Sequence, residues 1–232
     1  MFAYFLSIPG TGSSMSGAAG CHVLSRSLTV SSVPGMKGGL LFVPGEAEDR
    51  HLQSASTPAL VVELWFDALA DLELFAAWDG MTEWLALADI DSGPERIVTE
   101  QAMALRALPM RTRRSLEPEE AGFSYVVSYE GEAEDEIRWI NHYLSSHVPL
   151  LSTLPGLRDG DVCTRVTWNS PMRAGWKRGA ALLRNRVTFE NAEALTAALH
   201  SPVRDELGRD SMRFPPFSGH APHVPMHSYA LA

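Results

Sequence analysis

Residues 123–129 read FSYVVSY, and residues 2–8 read FAYFLSI. Aromatic side chains and a serine stand at matching places, 121 residues apart. In the earlier stretch Phe2, Tyr4, Leu6 and Ile8 alternate with the smaller Ala3 and Ser7, which is the period of a strand with two unequal faces. The same offset relates SSVPGM, around Pro34, to STLPGL, around Pro155. A chain that answers itself at a nearly fixed offset uses one supersecondary unit twice.

The spacing places second strands at 39–43 and 162–168, third strands at 60–66 and 184–189, and last strands at 98–105 and 224–231. Each third strand runs into a helix with a capping residue near its start, Asp67 in FDALADLELF and Asn191 in FENAEALTAAL. Strand, helix, strand, strand, helix, strand, done twice, predicts an α+β chain of two fused ferredoxin-like βαββαβ repeats. Their sheets would cover each other as a pseudo-dimeric α+β barrel. Residues 1–110 form the first repeat, with a shortened, Gly-rich first helix. Residues 111–122 form a linker and 123–232 the second repeat.

The second repeat carries the chemistry. Residues 139–155 read WINHYLSSHVPLLSTLP, closed by Gly156. Ile137, Ile140, Leu144 and Leu151 recur at helical spacing with His147 in their stripe, so an imidazole is expected to point inward. Trp139 and Tyr143 precede His147 at four-residue steps and would wall a pocket with the imidazole at its end. His147 is the candidate general acid or base and Tyr143 the candidate donor to a developing oxyanion. A hydrogen-bonded core histidine and a half-buried tyrosine are the plainer readings of the same two residues.

Other candidates lie on strands. Arg184, Arg186 and Thr188 share one face of the third strand, and an Arg on a strand covered on both faces needs a carboxylate in the protein or on a substrate. Arg186 is therefore either a substrate anchor or the partner of a residue such as Glu63. Trp65 shares a face with Glu63 and joins the candidate binding residues, together with Trp139. His227, in SGHAPHVPMHSY, completes the set if it faces the helical layer. His223 and His227 are spaced as a metal pair only on a helix, and Pro222 and Pro225 exclude a regular helix there, so no metal is expected.

The run HYLSSHVPLLSTLPGLRD, followed by RNRVTFENAEALTAALHSP and a terminal strand, resembles the EthD-like proteins of the dimeric α+β barrel superfamily. The first half matches through VVELWFDALADLELFAA and VPGM, but Arg26 takes the place of His147. The resemblance implies small cofactor-free lyases, isomerases, cyclases or oxygenases acting on aromatic or polyketide-like molecules, alongside haem enzymes. Arg26 then becomes a further candidate for substrate binding.

Composition narrows the field. A net charge of −9 argues against a nucleic-acid partner. Two cysteines are too few for a disulfide framework, no run approaches the length of a membrane span, and the opening ten residues lack the basic start of a signal peptide. A cytoplasmic chain is expected, a monomer with its internal pseudo-dimer or a homodimer. GTGSSMSG lacks the Lys of a phosphate loop. The expected function is a cofactor-independent lyase or isomerase of decarboxylation, dehydration or retro-aldol type, using His147 on a small aromatic or polyketide-like substrate. No cofactor is expected, with His147 as a haem ligand the remaining alternative. A non-catalytic, hydrophobic-ligand-binding or stress-related barrel is the other function class.

Overall fold

The computed structural model describes residues 1–10, 23–24, 27, 32–48, 57–87, 97–117, 120–171 and 173–231. Period-two alternation builds its sheet: β1 (Phe2–Pro9), β2 (Met36–Pro44), β3 (Pro58–Phe66), β4 (Val98–Ala107), β5 (Ala121–Ala133), β6 (Asp159–Arg165), the short β7 (Trp176–Arg178), β8 (Ala181–Phe189), β9 (Phe217–His220) and β10 (His223–Ala230). The strands run in the order β1-β3-β2-β10-β5-β8-β6-β4, and β4 returns to β1 to close the ring. All pairs around the ring are antiparallel. β7 and β9 lie outside it, paired with β4 and β5.

The expectation of two fused ferredoxin-like βαββαβ repeats is thereby corrected. The eight ring strands form one closed antiparallel barrel with few helices. Leu40 to Pro44 of β2 pair with Met226 to Ala230 of β10, and Met103 to Ala107 of β4 pair with Asp161 to Arg165 of β6. The physical reason lies in the backbone. An unpaired edge strand exposes a row of donors and acceptors, and joining edge to edge satisfies all of them, which face-to-face covering would leave open.

Closure gives each strand an inside and an outside. Ala3 and Phe5 of β1 pack inside the lumen with Val61, Met103, Val126, Cys163 and Met226 from five other ring strands. Their sequence neighbours point out. Tyr4, Leu6 and Ile8 pack with Phe75 of α1 (Leu69–Ala76) and with Trp84 of α2 (Met81–Ala86). Phe123, Tyr125 and Val127 pack against the second helical layer. That layer comprises α3 (Glu136–His142), a π-helical turn (Tyr143–His147), α4 (Val148–Leu151), α5 (Ala192–Leu199) and α6 (Pro202–Ser211).

Two helix starts follow the capping rule. Asn191 accepts from the Ala194 N–H at 2.9 Å, and Asp135 accepts from that of Arg138 at 2.9 Å. The π-turn has a local cause. Pro149 has no N–H to return to the Ser145 carbonyl, and the preceding Val148 N–H reaches back five residues to Tyr143 O. The widened turn sets Tyr143 and His147 over each other, their ring centroids 4.9 Å apart.

Candidate active site

The helical layer and the outer face of the second-half strands enclose a cavity of about 240 Å³. Leu151, Leu154, Val187, Leu195, Leu199 and Leu207 make it apolar. Its polar side is formed by His147, Asn185, Tyr129, Arg204, Ser211 and His223.

His147 is buried, and its Nδ1 lies 2.9 Å from Asp210 Oδ2. Burial pushes its pKa below the ordinary histidine value, the hydrogen bond to Asp210 opposing that shift. Asp210 sits on α6 and gathers three donors from the end of α3 and the π-helical turn: His147, Ser146 Oγ, and His142 Nε2 at 3.2 Å. Burial would raise its carboxyl, but Ser146 and His147 hold it below the usual carboxylate range. An ionised carboxylate can only accept, so His147 Nδ1 carries the proton and Nε2 keeps a lone pair. A neutral imidazole with its orientation fixed by a buried carboxylate is equipped to take a proton.

Tyr143 is fully buried behind this pair. Asn185 Nδ2 donates to its hydroxyl, and the Tyr129 ring meets it edge-on, centroids 5.5 Å apart. Burial pushes Tyr129 up to about 12 and Tyr143 well above its ordinary value, so both stay protonated. Tyr129 lines the cavity as a protonated phenol, able to donate to an oxygen bound there. Asn185 Oδ1 is buried with no partner.

Trp139 stacks on Tyr143, centroids 5.5 Å apart, and supports the ring row from behind the cavity wall. His227 is exposed and meets the edge of Phe123 at 4.9 Å, so it does not join His147. Trp65 lies on the lumen side, where its indole N–H donates to Glu63 Oε1 at 2.7 Å. Arg26 lies outside the described residues.

Arg186 points into the lumen among three carboxyl groups, its Nε alone without a hydrogen bond. It hydrogen-bonds Asp161, reaches Asp159 Oδ2 at 3.2 Å from both terminal nitrogens, and lies 3.7 Å from Glu63. Glu63 is pushed up to about 8, first by burial and then by Asp161. Among the described residues the one trio spaced to hold a metal ion is Glu63, Asp161 and Cys163, with ligand atoms within 4.8 Å of one another. The Arg186 guanidinium already supplies the positive charge there.

Asp210, Asn185, Tyr129 and Arg204 were not among the residues singled out from the sequence. Two had a signal. Val203, Leu207 and Asp210 follow each other at steps of four and three, which sets a carboxylate on an apolar stripe. Tyr129 shares the outward period of Phe123, Tyr125 and Val127.

No family model matches the sequence, and no curated protein matches it. Solved structures do match by shape. An anthrone oxidase-like protein aligns over 100% of this chain and 93% of its own, with a TM-score of 0.61 at 10% identity. A candidate monooxygenase from Fusobacterium nucleatum aligns over 100% and 92%, with a TM-score of 0.56 at 10% identity. One from Lactobacillus acidophilus aligns over 97% and 93%, with a TM-score of 0.53 at 11% identity. At these identities the likeness shows a shared fold. Among the described residues no helix is long and apolar enough to cross a membrane.

Proposed function

We propose that the chain is an enzyme that moves a proton on a small aromatic or polyketide-like molecule held in the cavity beneath α3 to α6. The observation that carries this reading is the 2.9 Å contact between His147 Nδ1 and Asp210 on the wall of an apolar cavity. His147 Nε2 takes the proton of a C–H made acidic by a neighbouring carbonyl. The electrons of that C–H bond move to the carbonyl oxygen, which receives a hydrogen bond from Tyr129. Return of the proton to another carbon completes an isomerisation, and expulsion of a leaving group β to the carbonyl completes a lyase reaction. From a β-keto acid the proton taken is that of the carboxyl group: the C–C bond to the carboxylate breaks, its electrons form the same enolate, carbon dioxide leaves, and His147 returns the proton to carbon. None of these routes needs an added oxidant. The descriptions of the fold neighbours, anthrone oxidase-like and candidate monooxygenase, support small-molecule chemistry as the class. The EthD-like resemblance of the second half supports the same class.

The test is a panel of small aryl ketones and aromatic β-keto acids, assayed for binding and for turnover with wild-type protein and His147→Ala. The proposal expects turnover by the wild type and loss of at least 100-fold in the variant with binding retained, the range of general acid–base catalysis. Unchanged turnover in His147→Ala overturns it. Tight binding with no turnover by either protein assigns the chain to the non-catalytic class instead.

A further inference from the structure

The barrel has a second cavity, on the opposite side of the sheet from the first. It occupies one mouth of the lumen, has a volume of about 190 Å³, and is walled by Val61, Val126, Val224 and Met226. Ser7, Thr99 and Ser128 bring hydroxyl-bearing side chains to it. Arg184 reaches it from β8. Adjacent residues thus serve different spaces: Asn185 faces the helix-side cavity and Arg184 the lumen.

Arg184 is 7% exposed, and its Nε has no hydrogen-bond partner. Its guanidinium lies over the Phe5 ring, 4.8 Å from the centroid. Among the described residues no carboxylate comes within salt-bridge distance of it, whereas Arg186, two residues on, has three around it. Burial pushes the pKa of Arg184 down, with Glu130 the leading charge opposing. A buried cation stacked on one face and open at its edge, beside an empty space, lacks the anion that such burial calls for.

We propose that this lumen cavity is a ligand site for a small organic monocarboxylate, held by Arg184. The guanidinium edge offers parallel donors that match the two oxygens of a carboxylate. The apolar wall accepts the body of the acid. Glu130, at the rim and paired with His220 at 3.2 Å, disfavours more highly charged anions such as phosphate.

Benzoate is the probe, with benzamide as its neutral analogue, titrated by calorimetry and by NMR against the whole chain. Saturable benzoate binding is expected, with benzamide at least tenfold weaker. Arg184→Met should weaken benzoate at least tenfold with an unchanged far-ultraviolet spectrum, and His147→Ala should leave benzoate affinity unaltered. Equal affinity for both probes, equal affinity in Arg184→Met, or absence of saturable benzoate binding overturns the proposal. Loss of binding in His147→Ala alone does so too, by moving the ligand to the other cavity. Should Arg184→Met fail to fold, Glu130→Gln decides: tighter benzoate binding supports the site, and unchanged or weaker binding overturns it.

Discussion

His147 and Asp210 stand 63 positions apart in the chain and 2.9 Å apart in the fold. One belongs to a π-turn and the other to the last turn of α6, so the contact ties the two helical segments that roof the cavity. The carboxylate holds the ring by its Nδ1 proton and leaves Nε2 as the basic atom. Everything proposed about catalysis depends on this arrangement.

Asp210→Asn is the first consequence. An amide in place of the carboxylate can present a donor to Nδ1, favouring the tautomer whose Nε2 bears the proton. Turnover should fall by about 10²–10⁴-fold. Stability should fall by about 1–3 kcal/mol, because the amide oxygen left to Ser146 and His142 is a weaker acceptor than the carboxylate. Steady-state kinetics and denaturant unfolding on one preparation measure both losses.

The pH profile follows from the direction of the His147 shift. Its folded pKa lies below the ordinary value of about 6.5, so the unfolded chain takes up a proton there before the folded one does. The stability this group contributes is present above the unfolded pKa and is lost as pH falls below it. Turnover that needs neutral His147 should rise with pH along a limb whose midpoint is below 6.5. A midpoint at 7 or above would contradict the burial argument.

Glu63 shifts the opposite way. Raised to about 8, it is protonated in the folded chain while the unfolded chain has already ionised. Its contribution is complete below its unfolded pKa and is lost as pH climbs through about 8, at a limiting slope of ~1.4 kcal/mol per pH unit. Glu63→Gln should therefore flatten the fall in melting temperature between pH 5 and 9, with its advantage over the wild type greatest at the alkaline end.

Tyr143→Phe separates support from chemistry. It leaves the Asn185 side-chain amide N–H without its buried acceptor and should cost about 1–3 kcal/mol in chemical denaturation. Because Tyr129 meets the cavity and Tyr143 lies behind it, turnover should fall less in this variant than in Tyr129→Phe.

The inward helical row was legible because side-chain periodicity encodes which face is buried, although of its three rings only His147 lines the cavity. Trp139, Tyr143 and His147 do form one inward row. The aliphatic stripe drawn beside it was less reliable: Ile137 is 75% exposed, because the ring row fills the contact with the sheet. The ring closure left no such trace. Which strand edges join is decided by backbone donors and acceptors that every residue carries, so β2–β10 and β4–β6 pairing has no side-chain signature. The two arginines of β8 make a similar point. Their shared lumen face follows from the period of two, but which of them meets Glu63, Asp159 and Asp161 depends on register between distant strands. Asp210 could be placed on a buried stripe from its spacing. Its meeting with His147 required the packing of α6 on the π-turn.

The most direct measurement is the nitrogen NMR titration of the His147 ring in the unliganded protein, assigned by comparison with His147→Ala. The account predicts a neutral ring at pH 7 with its proton on Nδ1, a pKa below 6.5, and loss of that tautomer preference in Asp210→Asn. A ring protonated on Nε2, or one that remains charged at pH 7, would contradict it.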